Sequence, residues 1–341
     1  MINIAILGLG TVGGGVDEVI GKNHSEIKHL LGEELNVKYI LDIRDFPDRK
    51  NVVRDINILV NDPDVKVICE TMGGKEPAYT YTRLALEHGI SVCTSNKELV
   101  DAHGVELSKI AREHNCSYLF EASVGGGIPI IRPLRESIAH EKITRIAGIL
   151  NGTCNYILTN MKNGKSFDDA LKEAQAKGFA ERNPAADVEG HDTARKIAIL
   201  ASLVTGKKFS YEQVHCEGIT NITQQDMIDA ERQNMSIKLL GVYQDGYILT
   251  APFLVPSTSP LYGVNDVFNG IMVTGTQVDN LMFYGRGAGK LPTASAVVSD
   301  VIQCAKSIGH NINNNFADLE PVKELAKVPE LPAGQKFRIL A

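Results

Sequence analysis

The sequence predicts an α/β protein with a doubly wound parallel sheet and a second, α+β domain built on an open mixed sheet. Three observations predict this class. An apolar strand at the N-terminus runs directly into a G-x-G-x-x-G turn. Short apolar runs and helical segments then alternate as far as Glu121. After the three glycines Gly125 to Gly127, pairs of strands replace this alternation. The first part is therefore typical of a Rossmann-type sheet.

The first strand covers Ile2 to Leu7, and glycines follow at positions 8, 10 and 13. In such a unit the first glycine permits the tight turn, the second lets the backbone approach a pyrophosphate, and the third lets the helix pack on the strand. The helix N-terminus then faces the negative charge. A plain glycine-rich turn is the alternative, but the position directly after a strand favours dinucleotide binding. The predicted contacts are Gly8, Gly10, Thr11, Val12 and Gly13.

The end of the next strand bears on which nicotinamide dinucleotide is preferred. This strand covers Val37 to Leu41 and is followed by Asp42 and Arg44. An acid at this place favours the free 2′-hydroxyl of NAD, whereas an arginine favours the 2′-phosphate of NADP. Because both are present, NAD and NADP stay open, and Arg44 favours NADP.

Two later strands, Val65 to Cys69 and Ile90 to Thr94, end in polar or glycine-containing turns. Strand ends on the carboxyl edge of such a sheet face the ligand crevice, so Thr71, Thr94 and Lys97 are predicted to contact the cofactor. Lys97 is thus a candidate ligand-facing cation. The alternative is an exposed lysine at the start of a helix.

The three glycines lie in a strand-to-loop passage from Glu121 to Pro129. Backbone of this kind can turn its carbonyl groups toward a hard cation or its amide groups toward a carboxylate. A flexible hinge between two domains has the same composition, and composition alone favours the hinge.

After a strand over Ile143 to Leu150, a turn of Asn151, Gly152 and Thr153 opens a helix. The backbone amides at this helix N-terminus could bind a substrate carboxylate. These three residues are therefore candidate substrate contacts.

The stretch from Ala174 to Lys196 is the most informative about chemistry. Glu181 and Asp187 lie in a loop broken by glycine and proline, and Asp187 is placed to cap the following helix. Asp192 and Lys196 are four residues apart, so on that helix they share one face. Acids around one lysine could bind an ammonium substrate and donate a proton to it. A solvated surface with an i,i+4 ion pair is the alternative.

A second glycine loop, Gly285 to Gly289, precedes an apolar helix and could return to the dinucleotide through Gly287. The predicted domains are 1–125, which binds the dinucleotide and is completed by about 285–320, and 126–284, which binds substrate and forms a dimer. Residues 321–341 are predicted to be a tail.

Composition limits the partners and the compartment. A net charge of −6 argues against nucleic acid or an anionic membrane surface as the main partner. No apolar run reaches the roughly 18 residues of a membrane helix, and no secretory signal is recognisable. Six dispersed cysteines without a C-x-x-C pair fit reduced thiols and argue against a transition-metal site. We expect a cytoplasmic protein that acts on a small molecule.

These motifs, in this order, resemble those of homoserine dehydrogenases over nearly the whole chain. The pattern D-x-x-G-x-D-x-x-x-K is matched from Asp187 to Lys196. The other matching segments are GLGTVGGGV from Gly8, TSNK from Thr94, NGTCNYIL from Asn151 and YGRGAGKLPTASAVVSD from Tyr284.

The resemblance implies reduction of L-aspartate 4-semialdehyde to L-homoserine with NADPH or NADH. It implies that Lys196 donates the proton and that Glu181 binds substrate. Asp187 and Asp192 would form and orient the pocket, and Lys97 would be a second lysine of the site.

The resemblance also implies a sodium ion at the glycine passage in place of a simple hinge. Glu121 and the carbonyl groups of Val124, Gly126 and Ile128 would hold it. A homodimer is implied as well, and so is a contact between the second glycine loop and the cofactor.

Three departures from the family pattern are expected to matter. Arg182-Asn183 stands where relatives more often carry a second acid near the proline, which alters the charge of the pocket. Cys154 replaces a usual threonine and places a thiol near the site. The chain ends near the point where many relatives continue into a regulatory ACT module, and no kinase portion precedes Met1. We therefore expect a short monofunctional form without feedback through such a module.

Two other functions stay open from the residues alone. A semialdehyde dehydrogenase that acts through a covalent thiohemiacetal would need Cys154 or Cys93 as nucleophile, although neither has a histidine nearby in sequence. A non-catalytic dinucleotide-binding sensor is disfavoured because the charged residues of the pattern are all present.

Overall fold

The structure is a computed structural model that describes residues 1–340. The chain forms two compact units. Unit 1 comprises Met1–Ser137 and Ala288–Leu319, and unit 2 comprises Ile138–Gly287 together with the segment that begins at Glu320. Each unit is therefore assembled from two separate segments of the chain.

The helices, in chain order, are α1 Thr11–Lys22, α2 His24–Leu31, α3 Ile56–Val60, α4 Ala78–Glu87, α5 Lys97–Glu113, α6 Gly152–Lys162, α7 Phe167–Ala176, α8 Ala185–Val188, α9 His191–Thr205, α10 Gln224–Arg232 and α11 Lys290–Lys306. The strands are β1 Ile2–Leu7, β2 Leu35–Leu41, β3 Val52–Val53, β4 Val65–Glu70, β5 Ser91–Thr94, β6 Tyr118–Leu119, β7 Ile143–Ile149, β8 Lys207–Lys208, β9 His215–Cys216, β10 Met235–Gln244, β11 Tyr247–Pro256, β12 Phe268–Gly275, β13 Asp279–Arg286, β14 Glu320–Pro321 and β15 Arg338–Ile339. Among residues 1–340, no helix combines the length and the apolar character needed to cross a bilayer.

Unit 1 is built on six parallel strands in the order β3-β2-β1-β4-β5-β6. The strand order reverses between β1 and β4, so the sheet is doubly wound. Parallel strands that are covered on both faces are continuous apolar runs, and β4 and β5 are buried through most of their length. The predicted Rossmann-type sheet is confirmed.

Helix α11 completes the core of unit 1, although it lies near the far end of the chain. Its apolar residues Ala294 and Val297 belong to one core cluster with Ile4 of β1 and Val16 of α1. The first strand and helix of the sheet are thus packed against a late segment of the sequence.

Unit 2 is built on a mixed sheet with the strand order β13-β12-β7-β10-β11-β15, in which β9 also pairs with β11. The pairs formed among β7, β10, β11, β12 and β13 are antiparallel, whereas β15 and β9 run parallel to β11. Helices α6, α9 and α10 pack on β10 of this sheet. The predicted open mixed sheet is confirmed.

The loop predicted before the lysine-bearing helix contains a further short helix, α8. Asp187 lies within α8, so the prediction that it caps α9 is wrong; the residue that precedes α9 is Gly190. Pro184 precedes α8, where the missing N–H of a proline leaves no intrahelical bond unmade. A helix of four residues is too short to show a helical period in the sequence.

The segment predicted to be a tail contributes to unit 2. Arg338 and Ile339 form β15, which pairs with Phe253 and Leu254 of β11. The end of the chain therefore covers one edge of the mixed sheet.

Candidate active site

The turn between β1 and α1 brings three backbone segments into contact. A Cβ atom at Gly13 would lie 1.9 Å from the carbonyl oxygen of Gly8, so a side chain is excluded there. The Thr71 hydroxyl after β4 lies 2.9 Å from the carbonyl oxygens of Leu7 and Gly8. Helix α1 therefore packs directly against the turn, and Thr71 holds the turn from the neighbouring strand.

Within residues 1–340, no side chain caps the N-terminus of helix α1. It begins with Thr11 and Val12, and the preceding Gly10 has extended backbone. The first N–H groups of a helix have no intrahelical acceptor, and the helix dipole adds a partial positive charge. The residues predicted to contact a pyrophosphate can therefore do so through their backbone.

Asp42 and Arg44, after β2, form one ion pair. Arg44 Nη2 donates to Asp42 Oδ2 at 2.8 Å, Arg44 Nε donates to Oδ1 at 3.0 Å, and the Leu9 N–H donates to Oδ2 at 2.7 Å. The Arg44 guanidinium holds the pKa of the Asp42 carboxyl well below its usual range. The Arg44 side chain is 57% exposed, and together with Arg54 it lines a cavity of about 240 Å³. This end of the sheet therefore places two arginines and the Asp42 carboxylate around one cavity.

A side-chain cap defines the turn between β5 and α5. Thr94 is buried, and Asn96 caps α5 because its Oδ1 accepts the Leu99 N–H at 3.1 Å. Lys97 is the first residue of α5 and is half-buried. An N-cap determines where a helix begins. The Asn96 cap therefore determines that Lys97 occupies the first position of α5.

Glu121 is a buried carboxylate that orders the glycine passage. The backbone N–H groups of Ile130, Ile131 and Arg132 donate to it at 2.6, 2.8 and 2.7 Å. Hydrogen bonds from three N–H groups compensate for the water that this carboxylate lacks.

The carbonyl groups of Val124, Gly126 and Ile128 lie in the same passage, and all three residues are buried. Within residues 1–340, no backbone hydrogen bond of a turn or loop is accepted by these carbonyls. Buried carbonyl oxygens normally have a partner, and such oxygens are the ligands that hard cations take. The residues present therefore fit a cation such as sodium.

In unit 2, Asn151 joins the two acids of the predicted pocket. Its Oδ1 accepts the Cys154 N–H at 2.8 Å and so caps α6. Its Nδ2 donates to Asp187 Oδ1 at 2.7 Å and to Asp192 Oδ2 at 2.9 Å. The sequence predicts Asn151 as a substrate contact; the structure adds that this amide organises the cluster.

Lys196 lies at the centre of this cluster. Its Nζ donates to Asp192 Oδ2 at 2.7 Å and to the Leu150 carbonyl oxygen at 2.8 Å. The Lys196 side chain is 12% exposed and that of Asp192 is 10% exposed. Asp192 also lies in the first turn of α9, where the helix dipole favours a negative charge. The ammonium is therefore fixed beside a counter-ion and is mostly shielded from water.

The first turn of α6 contacts two other segments of unit 2. Gly152 is its first residue, and a Cβ atom there would lie 2.8 Å from the Val267 carbonyl oxygen. The Thr153 hydroxyl donates to the Phe179 carbonyl oxygen at 2.6 Å. The Thr153 hydroxyl is therefore engaged with the loop after α7. The groups of this turn that suit a substrate carboxylate are then the backbone amides.

Glu181 stands apart from the other acids. It is exposed in the loop between α7 and α8, and its carbonyl oxygen accepts a side-chain amide of α7 at 3.1 Å. Asp187, Asp192 and Lys196 are joined to one another through the Asn151 amide and the Lys196 ammonium. Unlike those three residues, Glu181 is exposed.

Gly287 lies against a buried amide. A Cβ atom there would be 1.9 Å from Nδ2 of Asn269, a residue of β12 that is fully buried. Within residues 1–340, neither Nδ2 nor Oδ1 of Asn269 has a hydrogen-bond partner. A side chain at position 287 would therefore have to displace the Asn269 amide, and the second glycine loop begins directly on the sheet of unit 2.

The two cysteines considered as nucleophiles are fully buried. Burial raises the pKa of the Cys154 thiol and of the Cys93 thiol well above the ordinary value. The Cys154 thiol donates to the Asp187 carbonyl oxygen at 3.1 Å, and the Cys93 sulfur lies 3.6 Å from that of Cys304. Because the thiolate is the nucleophilic form, this environment disfavours covalent catalysis by either residue.

Glu70 at the end of β4 and Lys238 in β10 are among the buried charged residues that the sequence does not predict as site residues. Burial raises the pKa of Glu70 to about 7 and lowers that of Lys238 to about 7. Groups perturbed in this way often lie at functional sites. A single charged residue in an apolar strand also occurs at exposed edges, so only the tertiary contacts distinguish these two.

A turn that can bind a pyrophosphate and a shielded ammonium that can protonate an oxyanion are the parts that a dinucleotide-dependent oxidoreductase needs. The chain is an oxidoreductase of this class. The family model described as homoserine dehydrogenase, NAD binding domain, matches residues 8–121, and the model described as homoserine dehydrogenase matches residues 129–302. The chain belongs to the homoserine dehydrogenase family.

Curated relatives and solved structures agree with this assignment. The chain is 39% identical to the homoserine dehydrogenase of Bacillus subtilis, over 99% of this chain and 81% of that protein. It is 41% identical to the homoserine dehydrogenase of Synechocystis, over 93% of this chain and 76% of that protein.

The similarity extends to three dimensions. The crystal structure of a homoserine dehydrogenase from Thiobacillus denitrificans gives a TM-score of 0.87 at 35% identity, over 97% of this chain and 79% of that one. A hyperthermophilic archaeal homoserine dehydrogenase in complex with NADPH gives 0.77 at 30% identity, over 89% of this chain and 97% of that one.

Proposed function

We propose that the chain reduces L-aspartate 4-semialdehyde to L-homoserine with NADPH or NADH, and that Lys196 donates the proton. One observation carries the proposal: the Lys196 ammonium is enclosed between Asp192 Oδ2 at 2.7 Å and the Leu150 carbonyl oxygen at 2.8 Å. A fixed and charged donor in a mostly dry place suits the protonation of an alkoxide.

The reaction adds one hydride and one proton to the aldehyde. The bound dinucleotide supplies the hydride. Negative charge develops on the carbonyl oxygen as its carbon is reduced, and Lys196 stabilises that oxygen and gives it the proton. General acid catalysis of this kind contributes about 10²–10⁴-fold to a rate. Asp192 keeps the ammonium aimed through their hydrogen bond.

Charge complementarity assigns the other contacts of the substrate. Its α-ammonium group needs an acid, and its α-carboxylate needs N–H donors. Glu181, exposed in its loop, takes the ammonium, and Asp187 completes the acidic side of the pocket. The amides of Gly152 and Thr153 at the start of α6 take the carboxylate. Lys97 is the second lysine of the site.

NADP is the preferred cofactor in this proposal. Asp42, the acid that would select NAD, is already paired with Arg44, and the Arg44 side chain is 57% exposed. An exposed guanidinium at the end of β2 suits a 2′-phosphate. The preference is measured as the ratio of kcat/KM with NADPH and with NADH. Arg44→Ala is expected to lower this ratio, and an unchanged ratio would remove Arg44 from cofactor selection.

Sodium is the cation proposed for the glycine passage. Glu121 and the carbonyl groups of Val124, Gly126 and Ile128 would hold it, and the bound ion would offset the Glu121 charge. The carbonyl groups of these three buried residues accept no turn or loop backbone hydrogen bond within residues 1–340, which supports this assignment. A higher thermal unfolding midpoint is expected in sodium chloride than in choline chloride at equal ionic strength. Equal midpoints in the two salts would argue against the site.

A homodimer formed through unit 2 is also part of the proposal. Strand β13 lies at the edge of the mixed sheet, and Tyr284 on it is 55% exposed. An exposed strand edge with an apolar side chain is a surface that a second copy can cover. Light scattering during gel filtration should give twice the chain mass of 37.1 kDa. A mass of one chain would exclude the dimer.

The reaction is tested by following the loss of NADPH absorbance in the presence of L-aspartate 4-semialdehyde. Parallel assays use NADH and the variant Lys196→Ala. Rapid oxidation that the substitution abolishes is the expected result. Binding of NADPH without turnover would contradict the proposal and would indicate the sensor.

A further inference from the structure

Glu70 is a carboxyl group that the proposed reaction does not use. It ends β4 in the middle of the parallel sheet and is 0% exposed. Burying such a group is costly unless hydrogen bonds replace its water. Both oxygens are engaged: Oε1 accepts the Met72 N–H at 2.8 Å, and Oε2 accepts the Thr94 hydroxyl at 2.5 Å. The side chain therefore ties the turn after β4 to the end of β5.

The bond to Thr94 is the first of a series that ends on α5. Thr94 Oγ1 accepts the Asn96 N–H at 2.9 Å, and Asn96 Oδ1 accepts the Leu99 N–H at 3.1 Å. Asn96 Nδ2 donates to the Gly74 carbonyl oxygen at 2.6 Å, in the turn after β4. Two loops of the sheet edge are thus locked together around one buried carboxyl group.

Lys97 follows Asn96 directly as the first residue of α5. The direction of its side chain depends on where the helix begins, which the cap determines. We propose that Glu70 is a positioning residue: through this series of hydrogen bonds it holds the start of α5, and hence Lys97, in the orientation that turnover requires. The inference rests on the proposed role of Lys97 in the site.

The network predicts which substitutions preserve it. In Glu70→Gln, the side-chain oxygen can still accept the Met72 N–H, and the new amide can donate to Thr94 Oγ1. Glu70→Ala removes both contacts and leaves the Met72 N–H and the Thr94 hydroxyl without this acceptor. Asn96→Ala breaks the series at the cap.

A matched control comes from the same unit. Asp55 caps α3 as Asn96 caps α5, because its Oδ1 accepts the Asn57 N–H at 2.9 Å. Helix α3 carries no candidate site residue. Asp55→Ala therefore removes a helix cap of unit 1 without touching the start of α5.

The first measurement is steady-state kinetics, with NADPH binding measured separately. Glu70→Ala and Asn96→Ala should each lower kcat roughly tenfold to hundredfold, because a displaced catalytic group costs about that much. Both KM values and the NADPH dissociation constant should change little. Glu70→Gln and Asp55→Ala should keep kcat near the wild-type value. The double variant Glu70→Ala with Asn96→Ala should be no slower than the slower single variant, because both break one network.

The second measurement is hydrogen exchange, which does not depend on turnover. The amides of Leu99 and Val100 in the first turn of α5 should exchange faster in Glu70→Ala than in the wild type or in Glu70→Gln. Three results would overturn the inference: wild-type kcat in Glu70→Ala, a loss confined to NADPH binding, or unchanged exchange of these amides. A wild-type chain that does not reduce L-aspartate 4-semialdehyde would contradict the proposed function instead. The exchange data would then still decide whether Glu70 holds α5.

Discussion

Two lysines of unit 2, one half-buried and one fully buried, differ in the charge of their partners. Lys196 in α9 has a side chain that is 12% exposed and donates to the Asp192 carboxylate at 2.7 Å. Lys238 in β10 is 1% exposed. Its acceptors are neutral oxygens: Asn155 Oδ1 at 3.2 Å, Asn265 Oδ1 at 3.0 Å and the Val264 carbonyl.

The pKa of Lys238 reflects this difference. Within residues 1–340 no carboxylate contacts its ammonium, and burial lowers its pKa to about 7. Repulsion from Lys162 lowers it further, and Asp266 raises it. Such a lysine joins α6 to the loop before β12 and is only partly charged at neutral pH. The proposed proton donor, Lys196, differs from this lysine in having a carboxylate partner and a side chain that is 12% exposed.

The largest effect is expected when the ammonium of Lys196 is removed. Lys196→Met keeps the apolar stem but cannot protonate an alkoxide, so kcat should fall about 10²–10⁴-fold with little change in KM. Lys238→Met is the matched control, because it removes a buried ammonium of the same unit and should leave the chemical step intact. Steady-state kinetics of the two variants make the comparison. Equal losses would show that burial of an ammonium, and not proton donation, is what matters.

Removing its counter-ion would make Lys196 resemble Lys238. Asp192→Asn keeps the shape but replaces the charged acceptor of Lys196 by an amide. Hydrogen bonds to charged groups contribute about 1.5–3 kcal/mol, so kcat should fall roughly tenfold to hundredfold. Glu173→Gln, which removes the partner of the half-exposed Lys177, should leave kcat unchanged. A wild-type rate in Asp192→Asn would mean that the donor needs no counter-ion.

The titration of Lys238 should contribute to the pH dependence of the free energy of unfolding. Its pKa is lowered from 10.5 to about 7 in the folded chain, so between these pH values the unfolded chain binds more protons. The free energy of unfolding should therefore increase as pH rises above about 7. The same increase should be lost as pH is lowered through this range. This rise should be absent in Lys238→Met. Urea unfolding at pH values from about 7 to 9 measures it, and parallel curves for the two proteins would show that Lys238 titrates normally.

The smallest effect is expected at Cys154, whose thiol donates to the Asp187 carbonyl oxygen beside the cluster. Cys154→Ser keeps a donor there, and kcat should change by less than about threefold because a buried thiol with a raised pKa is a poor nucleophile. A loss as large as that of Lys196→Met would assign the chemistry to the thiol. The kcat of Cys154→Ser is measured by steady-state kinetics together with those of the lysine variants.

The parts of this comparison that could be predicted depend on neighbours in the sequence. The four-residue spacing of Asp192 and Lys196 predicts one helix face, and the structure has their charged atoms 2.7 Å apart. The apolar run before G-x-G-x-x-G predicts β1, the turn and α1, and all three are present. Local periodicity and turn chemistry carry this information.

The parts that could not be predicted depend on distant segments. Asn151 reaches Asp187 and Asp192 across 36 and 41 positions of the chain. Lys238 reaches Asn155 across 83 positions, and its strand pattern contains nothing that separates an enclosed lysine from an exposed one. Such partners are set by tertiary packing, which a single sequence does not report.

The most direct test of the proton-donor assignment is the primary deuterium isotope effect on kcat, measured with NADPH deuterated at the transferred position. If Lys196 protonates the alkoxide as the hydride is transferred, its loss slows that step until it limits turnover. Lys196→Met should then show the full isotope effect. A slow Lys196→Met variant without an isotope effect on kcat would mean that the lysine acts in another step, and would contradict the account.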